Sequence, residues 1–141
     1  LEKLNTVLAA VMSIETNDLI KIKKQVEFFK GTLFKMAKNQ VIVTFDGPSR
    51  AIQCALKIKE LHHFRVGLHI GEIKKGDREI TGQGVDTVLK VQEMASLNQI
   101  LVTDLLRSLV YGSEIKFQEA PIQNLKGIRK LYSVLEPNSK A

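Results

Sequence analysis

Apolar positions run almost without a break from Leu4 to Ile14 (LNTVLAAVMSI). The length of this run and the polar break after it predict a buried central strand, a choice that periodicity alone leaves open. Thr16-Asn17-Asp18 can cap a helix start. Leu19, Ile22, Val26 and Phe29 then recur at spacings of three and four, one apolar helix face, and Gly31 stands where a C-terminal glycine would end it. Thr32 to Met36 and Gln40 to Phe45 read as two short strands joined through Ala37-Lys38-Asn39. In Asp46-Gly47-Pro48, either of the first two residues can cap and Pro48 suits the first helical position. Ala51, Ile52, Ala55, Leu56 and Lys59 line one face of that helix, which runs to about Leu61.

The chain is organised around Phe64 to Gln92. Arg65 to Ile73 reads as a strand whose Gly67 and Gly71 let something pack close to the backbone. A charged turn, Lys74 to Arg78, follows, then Thr81-Gly82-Gln83-Gly84 and a helix beginning near Val85. This layout could hold a phosphorylated ligand, but alone it is a weak signal. Gln99 to Val102 predicts a short strand, Thr103 the cap of a helix to about Val110, and Ile115 to Phe117 and Lys130 to Leu135 two more strands around a loop at Leu125-Lys126-Gly127. The order is a βαββαβ ferredoxin-like α+β core with a C-terminal α/β appendage. Residues 1–136 are expected to form one domain and 137–141 a tail.

With 44% hydrophobic and 26% charged residues, the 141-residue chain can bury one sizeable core. No apolar run reaches the roughly 20 residues of a membrane span, and Leu1 to Ile14 lacks the basic start of a secretory signal. The single cysteine, Cys54, forms no internal disulfide and reads as a small buried residue on a helix, which fits a reducing, cytoplasmic setting. The net charge of +6 raises nucleic acid as a partner. The lysines are spread along the chain, however, and its densest cluster, Lys21, Lys23 and Lys24, reads as a solvated face. There is no aromatic row for base stacking. The chain has no internal repeat.

Several segments, co-linear from about residue 40 to residue 135, resemble the class III adenylate and guanylate cyclase homology domain. They are Phe45-Asp46-Gly47-Pro48, Arg50-Ala51-Ile52, Cys54-Ala55, the strand Arg65 to Glu72, Gly84-Val85, Ile100 to Thr103, and Leu125-Lys126-Gly127 ahead of Leu131-Tyr132. They are nearest the bacterial variants with an FDGPxRAI-type segment. The resemblance implies cyclisation of a nucleoside triphosphate on two divalent metals held by two aspartates, one in the first strand and one in the first hairpin turn. Here Val11 stands at the first position and Asn39 at the second, so neither supplies a carboxylate. Asp46 or Asp18 could substitute only if the backbone were rearranged.

The resemblance further implies an asparagine or histidine just inside a helix and an arginine one turn on. This chain offers Asp86 and Lys90, which also read as an exposed i,i+4 pair. The base-reading lysine and its acidic partner match Lys35 and Glu79, which also read as surface charge. His62, His63 and His69 do not form a metal site at these spacings.

The leading expectation is a degenerate cyclase homology domain, catalytically silent alone, serving as a homodimerising or heterodimerising regulatory module in bacterial-type signalling. No cofactor is expected, with Mg²⁺ or Mn²⁺ only if catalysis survives. A purine nucleotide would bind weakly, at roughly millimolar affinity. The alternatives are an active cyclase using unusual ligands or an intact partner subunit, and a basic nucleic-acid-binding module.

Overall fold

The computed structural model describes residues 4–61, 63–110, 114–121, 128 and 130–135. The order is β1 (Asn5–Thr16), α1 (Leu19–Phe28), β2 (Thr32–Ala37), β3 (Gln40–Phe45), α2 (Pro48–Lys59), β4 (Phe64–Lys75), β5 (Ile80–Thr81), α3 (Gln83–Met94), β6 (Gln99–Thr103), α4 (Asp104–Leu109), β7 (Lys116–Ala120) and β8 (Leu131–Leu135). The strands form one sheet in the order β2-β3-β1-β4-β6-β8-β7, with β5 paired to β4. The β4–β6 pairing is parallel; the other pairings are antiparallel. The βαββαβ core and the C-terminal appendage are therefore as expected.

β1 is central because it is covered on both faces. Alternation along a strand sends successive side chains to opposite sides. Met12 and Ile14 join Val43, Val66 and Leu68 in a cluster with Ile22 and Val26 of α1 and Ile52, Ala55 and Ile58 of α2. Val11 faces the other way, into a cluster with Ile42, Ile73 and with Val85 and Val88 of α3. Helices on both faces explain why the run is apolar throughout rather than alternating.

Two helix ends follow their sequence signals in different ways. Asp18 caps α1, its side chain accepting from the Lys21 amide at 3.2 Å. At the other end, Lys30 takes the left-handed conformation (φ 60°), and its amide donates to the Glu27 carbonyl at 3.1 Å. Gly31 sits one residue beyond, its amide donating to the Val26 carbonyl at 2.9 Å. This is a Schellman ending with lysine in the usual glycine position. Gly31 is required for space instead: a Cβ there would lie 2.7 Å from Val43 Cγ1. For α2, the N-cap is Gly47, Pro48 opens the helix, and Asp46 instead pairs with Arg50 at 3.7 Å.

The partner anticipated for the β4 glycines is α3. A Cβ on Gly67 would lie 2.6 Å from the Gln92 amide nitrogen and 2.9 Å from the Val88 carbonyl oxygen. Cys54 is fully buried on α2, and burial pushes its thiol up to about 12. It packs and does not react.

Candidate functional site

The β2–β3 hairpin closes against the end of β1. Glu15 pairs with Gln40, and the Thr16 amide donates to the Asn39 carbonyl at 2.9 Å. Val11 pairs with Thr44, five residues along the chain from Asn39, or about 16 Å of strand. Its side chain is fully buried under α3. The structure therefore does not bring Val11 and Asn39 together. The β1 side chain two residues nearer the turn on the same face is Ser13.

Ser13 belongs to a buried polar network that sequence reasoning missed. Its hydroxyl donates to Gln92 Oε1 at 3.0 Å, and the Gln40 amide donates to the same oxygen at 2.6 Å. Ser13 and Gln92 are buried, 0% and 1% exposed. A hydroxyl and two amides thus fill the corner beside Asn39 with neutral groups. Outside it lies a cavity of ≈ 580 Å³ lined in part by Glu15, Asn39, His63, Arg65, Gln92 and Glu93. Glu15 is paired with Arg65 at 3.9 Å. Two hard divalent cations call for several anionic oxygens. Among the described residues no cluster of three or more His, Cys, Asp or Glu could hold a metal ion. Of the carboxylates in this wall, Glu15 is engaged by Arg65, which leaves Glu93, one short of the pair that two cations need. Asp18 is committed to capping α1 and to Lys21 at 3.6 Å, and Asp46 follows Phe45 at the end of β3 away from the turn.

Asp86 and Lys90 lie one turn apart on the exposed face of α3. The ion pair expected between them is not among those formed by the described residues. Gly82, with φ +115°, makes the turn into α3. Lys35 is exposed on β2 opposite Val41, beside an irregularity in the β2–β3 register. Glu79 is exposed just ahead of β5, its carbonyl accepting from the Gly76 amide at 2.9 Å. Their chain neighbours, Phe34 and Ile80, join the same apolar cluster under α3. By strand alternation Lys35 then lies on the other side of β2, with Val41, and no ion pair between Lys35 and Glu79 is among those of the described residues.

A second cavity, ≈ 500 Å³, lies between β4, the start of α3 and α4, with His69, Gly71, Gly84, Thr87, Thr103 and Asp104 in its wall. His69 Nδ1 is 2.9 Å from Thr103 Oγ1, and the same oxygen accepts from the Leu106 amide at 3.4 Å, capping α4. Burial lowers the His69 imidazole below its ordinary 6.5. Because the folded state disfavours the charged ring, the unfolded chain binds the proton first as pH falls through 6.5. Stability should then fall by up to about 1.4 kcal/mol per pH unit, until the folded group itself titrates. Thermal melts across this range should show a shallower acid loss for His69→Asn than for the parent. An identical slope would place the cause elsewhere.

His63 is exposed, with φ 66°, its amide donating to Asn98 Oδ1 at 2.7 Å. His62, Leu125-Lys126-Gly127 and the expected tail lie outside the described residues.

No protein-family model matches the chain. A curated protein of Rhizobium meliloti (strain 1021), named "Putative adenylate cyclase 3", is 23% identical over 115 residues. The match covers 72% of this chain but 20% of that protein, so the chain spans about a fifth of its relative's length. Among solved structures, the catalytic core of a rhodopsin-guanylyl cyclase in complex with ATPalphaS superposes with TM-score 0.85 at 13% identity, over 95% of this chain and 99% of that one. An adenylate/guanylate cyclase/hydrolase from Silicibacter pomeroyi gives 0.82 at 17% identity, over 96% and 99%. A non-canonical dimeric guanylyl cyclase domain from Blastocladiella emersonii gives 0.77 at 12%, over 94% and 98%. The resemblance read from the segments between residues 40 and 135 thus holds for the whole described architecture, and the chain has the fold of the class III adenylate and guanylate cyclase domain.

Proposed function

We propose that this chain is a catalytically silent nucleotide cyclase homology domain that works as a dimerisation or regulatory module. The observation that carries this reading is the neutral corner beside the hairpin turn. Where the reaction needs carboxylates to hold two cations, the chain has Asn39 in the turn and Ser13, Gln40 and Gln92 satisfying one another. Asp86 and Lys90 add to it, since an aspartate repels a triphosphate and a lysine lacks the bidentate fork of arginine.

The purified chain should make no cyclic AMP or cyclic GMP from ATP or GTP, even with Mn²⁺ in excess. Turnover that disappears in Asp46→Ala or Asp18→Ala would overturn the reading and restore the enzyme. Lys35 and Glu79 retain the charges to hold a purine edge. Without metals on the phosphates, a nucleoside should then bind as well as ATP. Pairing, with a second copy or with a related intact subunit, would run through the β2–β3 hairpin and β4. That a guanylyl cyclase domain of the same fold forms a dimer, a non-canonical one, supports self-association and leaves the surface to experiment.

A further inference from the structure

The outer face of α1 carries an apolar and basic surface that neither the core nor the proposed pairing uses. Ile22 and Val26 turn inward, buried to 1% and 2%. At 100° per residue, Ile20, Lys24 and Phe28 then share the opposite face, with Lys21 and Lys23 on its flanks. Ile20 is 74% exposed and Phe28 76%, the two most exposed large apolar side chains among the described residues. They stand about 12 Å apart along the helix axis. Phe28 is braced edge-to-face on Phe29, with ring centroids 5.0 Å apart, so presenting it costs little side-chain freedom. Lys23, Lys24 and Lys30 are exposed, and none is in the ion pairs of the described residues. Against them the face sets Glu27, and Asp18 already paired with Lys21.

We propose that the outer face of α1 docks onto an anionic lipid surface, with Ile20 and Phe28 entering the headgroup region and Lys21, Lys23 and Lys24 meeting acidic headgroups. The charge is complementary to such a surface, and the chain as a whole carries +6. The shape also favours it. An exposed, convex helix face suits a broad, yielding surface, whereas a peptide partner would call for a groove. Two small anchors and a few lysines give reversible attachment rather than insertion.

The test is co-sedimentation of the 141-residue chain with vesicles of phosphatidylcholine, with and without phosphatidylserine. Partition should require phosphatidylserine and be lost at high salt. Lys23→Ala with Lys24→Ala should lower it roughly 25-fold, about fivefold for each lysine. Ile20→Ser with Phe28→Ser should lower it about tenfold or more without changing the thermal midpoint, because both side chains are exposed in the folded chain. Failure to sediment with phosphatidylserine vesicles overturns the proposal. So does partition indifferent to both pairs of substitutions, or a dimer in solution that Phe28→Ser abolishes, which would give this face to a second copy of the chain.

Discussion

Gly67→Ala is expected to destabilise the fold by about 3 kcal/mol, at the upper end of ordinary overpacking. The added methyl would lie 2.6 Å from the Gln92 amide nitrogen, 2.9 Å from the Val88 carbonyl oxygen and 3.0 Å from Gln92 Cα. All three are backbone atoms of α3, so no side chain can rotate away. Relief requires the helix to lift off β4, which would open the contacts of Val85 and Val88 with Val11 and Ile73. Interiors are packed closely enough that such a shift is felt well beyond the added methyl. Gly47→Ala is the control: a Cβ there meets nothing within 4 Å, so only the roughly 0.5–1 kcal/mol by which glycine outranks alanine at an N-cap is at stake. Urea midpoints of both variants give the comparison. A Gly67→Ala midpoint equal to that of Gly47→Ala would mean that α3 does not rest on β4 as described.

The same glycine shows what was legible in the sequence. A glycine inside an apolar strand announces a close approach, and the spacing of Gly67 and Gly71 was enough to anticipate one. The βαββαβ order was legible for a similar reason. Each of its segments carries a local period or a local stop signal, such as Asp18 ahead of α1 or Pro48 at the start of α2. Local signals mislead where two residues compete for one role. Gly31 reads as the left-handed ending of α1, but Lys30 takes that conformation, and Gly31 is the residue packed against Val43 and Phe45. β5, at two residues, is too short to carry a period at all.

The candidate site was less legible because it depends on register. Giving Val11 the first-strand position means counting along β1, and where that position lies relative to the hairpin turn has meaning only once the pairing with β3 is fixed. The pairing sets Val11 opposite Thr44 and brings Glu15 and Thr16 to the turn. A shift of two residues keeps the same face of the strand, so the apolar pattern could not exclude it. The partners of the buried network are also remote in sequence, Ser13 being 79 positions from Gln92 and Gln40 being 52. A serine inside an apolar run, and a glutamine at the buried end of a helix, were the only signals available.

That network yields the second large effect. Gln92→Leu should cost about 2–3 kcal/mol, because it removes the oxygen that accepts from both Ser13 and Gln40. Ser13 is fully buried and would be left as an orphaned donor, whereas Gln40 is only partly buried and can turn towards water. Most of the loss is therefore assigned to the Ser13 hydroxyl. Ser13→Ala alone should cost less, about 1 kcal/mol, since Gln92 keeps its bond from Gln40. In the double variant the orphan is gone, so the combined loss should fall short of the sum of the two single losses by about 1 kcal/mol or more. Chemical denaturation of the four proteins in this cycle measures the coupling directly. Strict additivity would mean that Ser13 and Gln92 do not depend on each other, and the neutral corner beside Asn39 would lose its physical basis. A coupling of the expected sign would show that β1 and the end of α3 are held together by an uncharged hydrogen bond beside the hairpin turn, the feature on which the proposed catalytic silence rests.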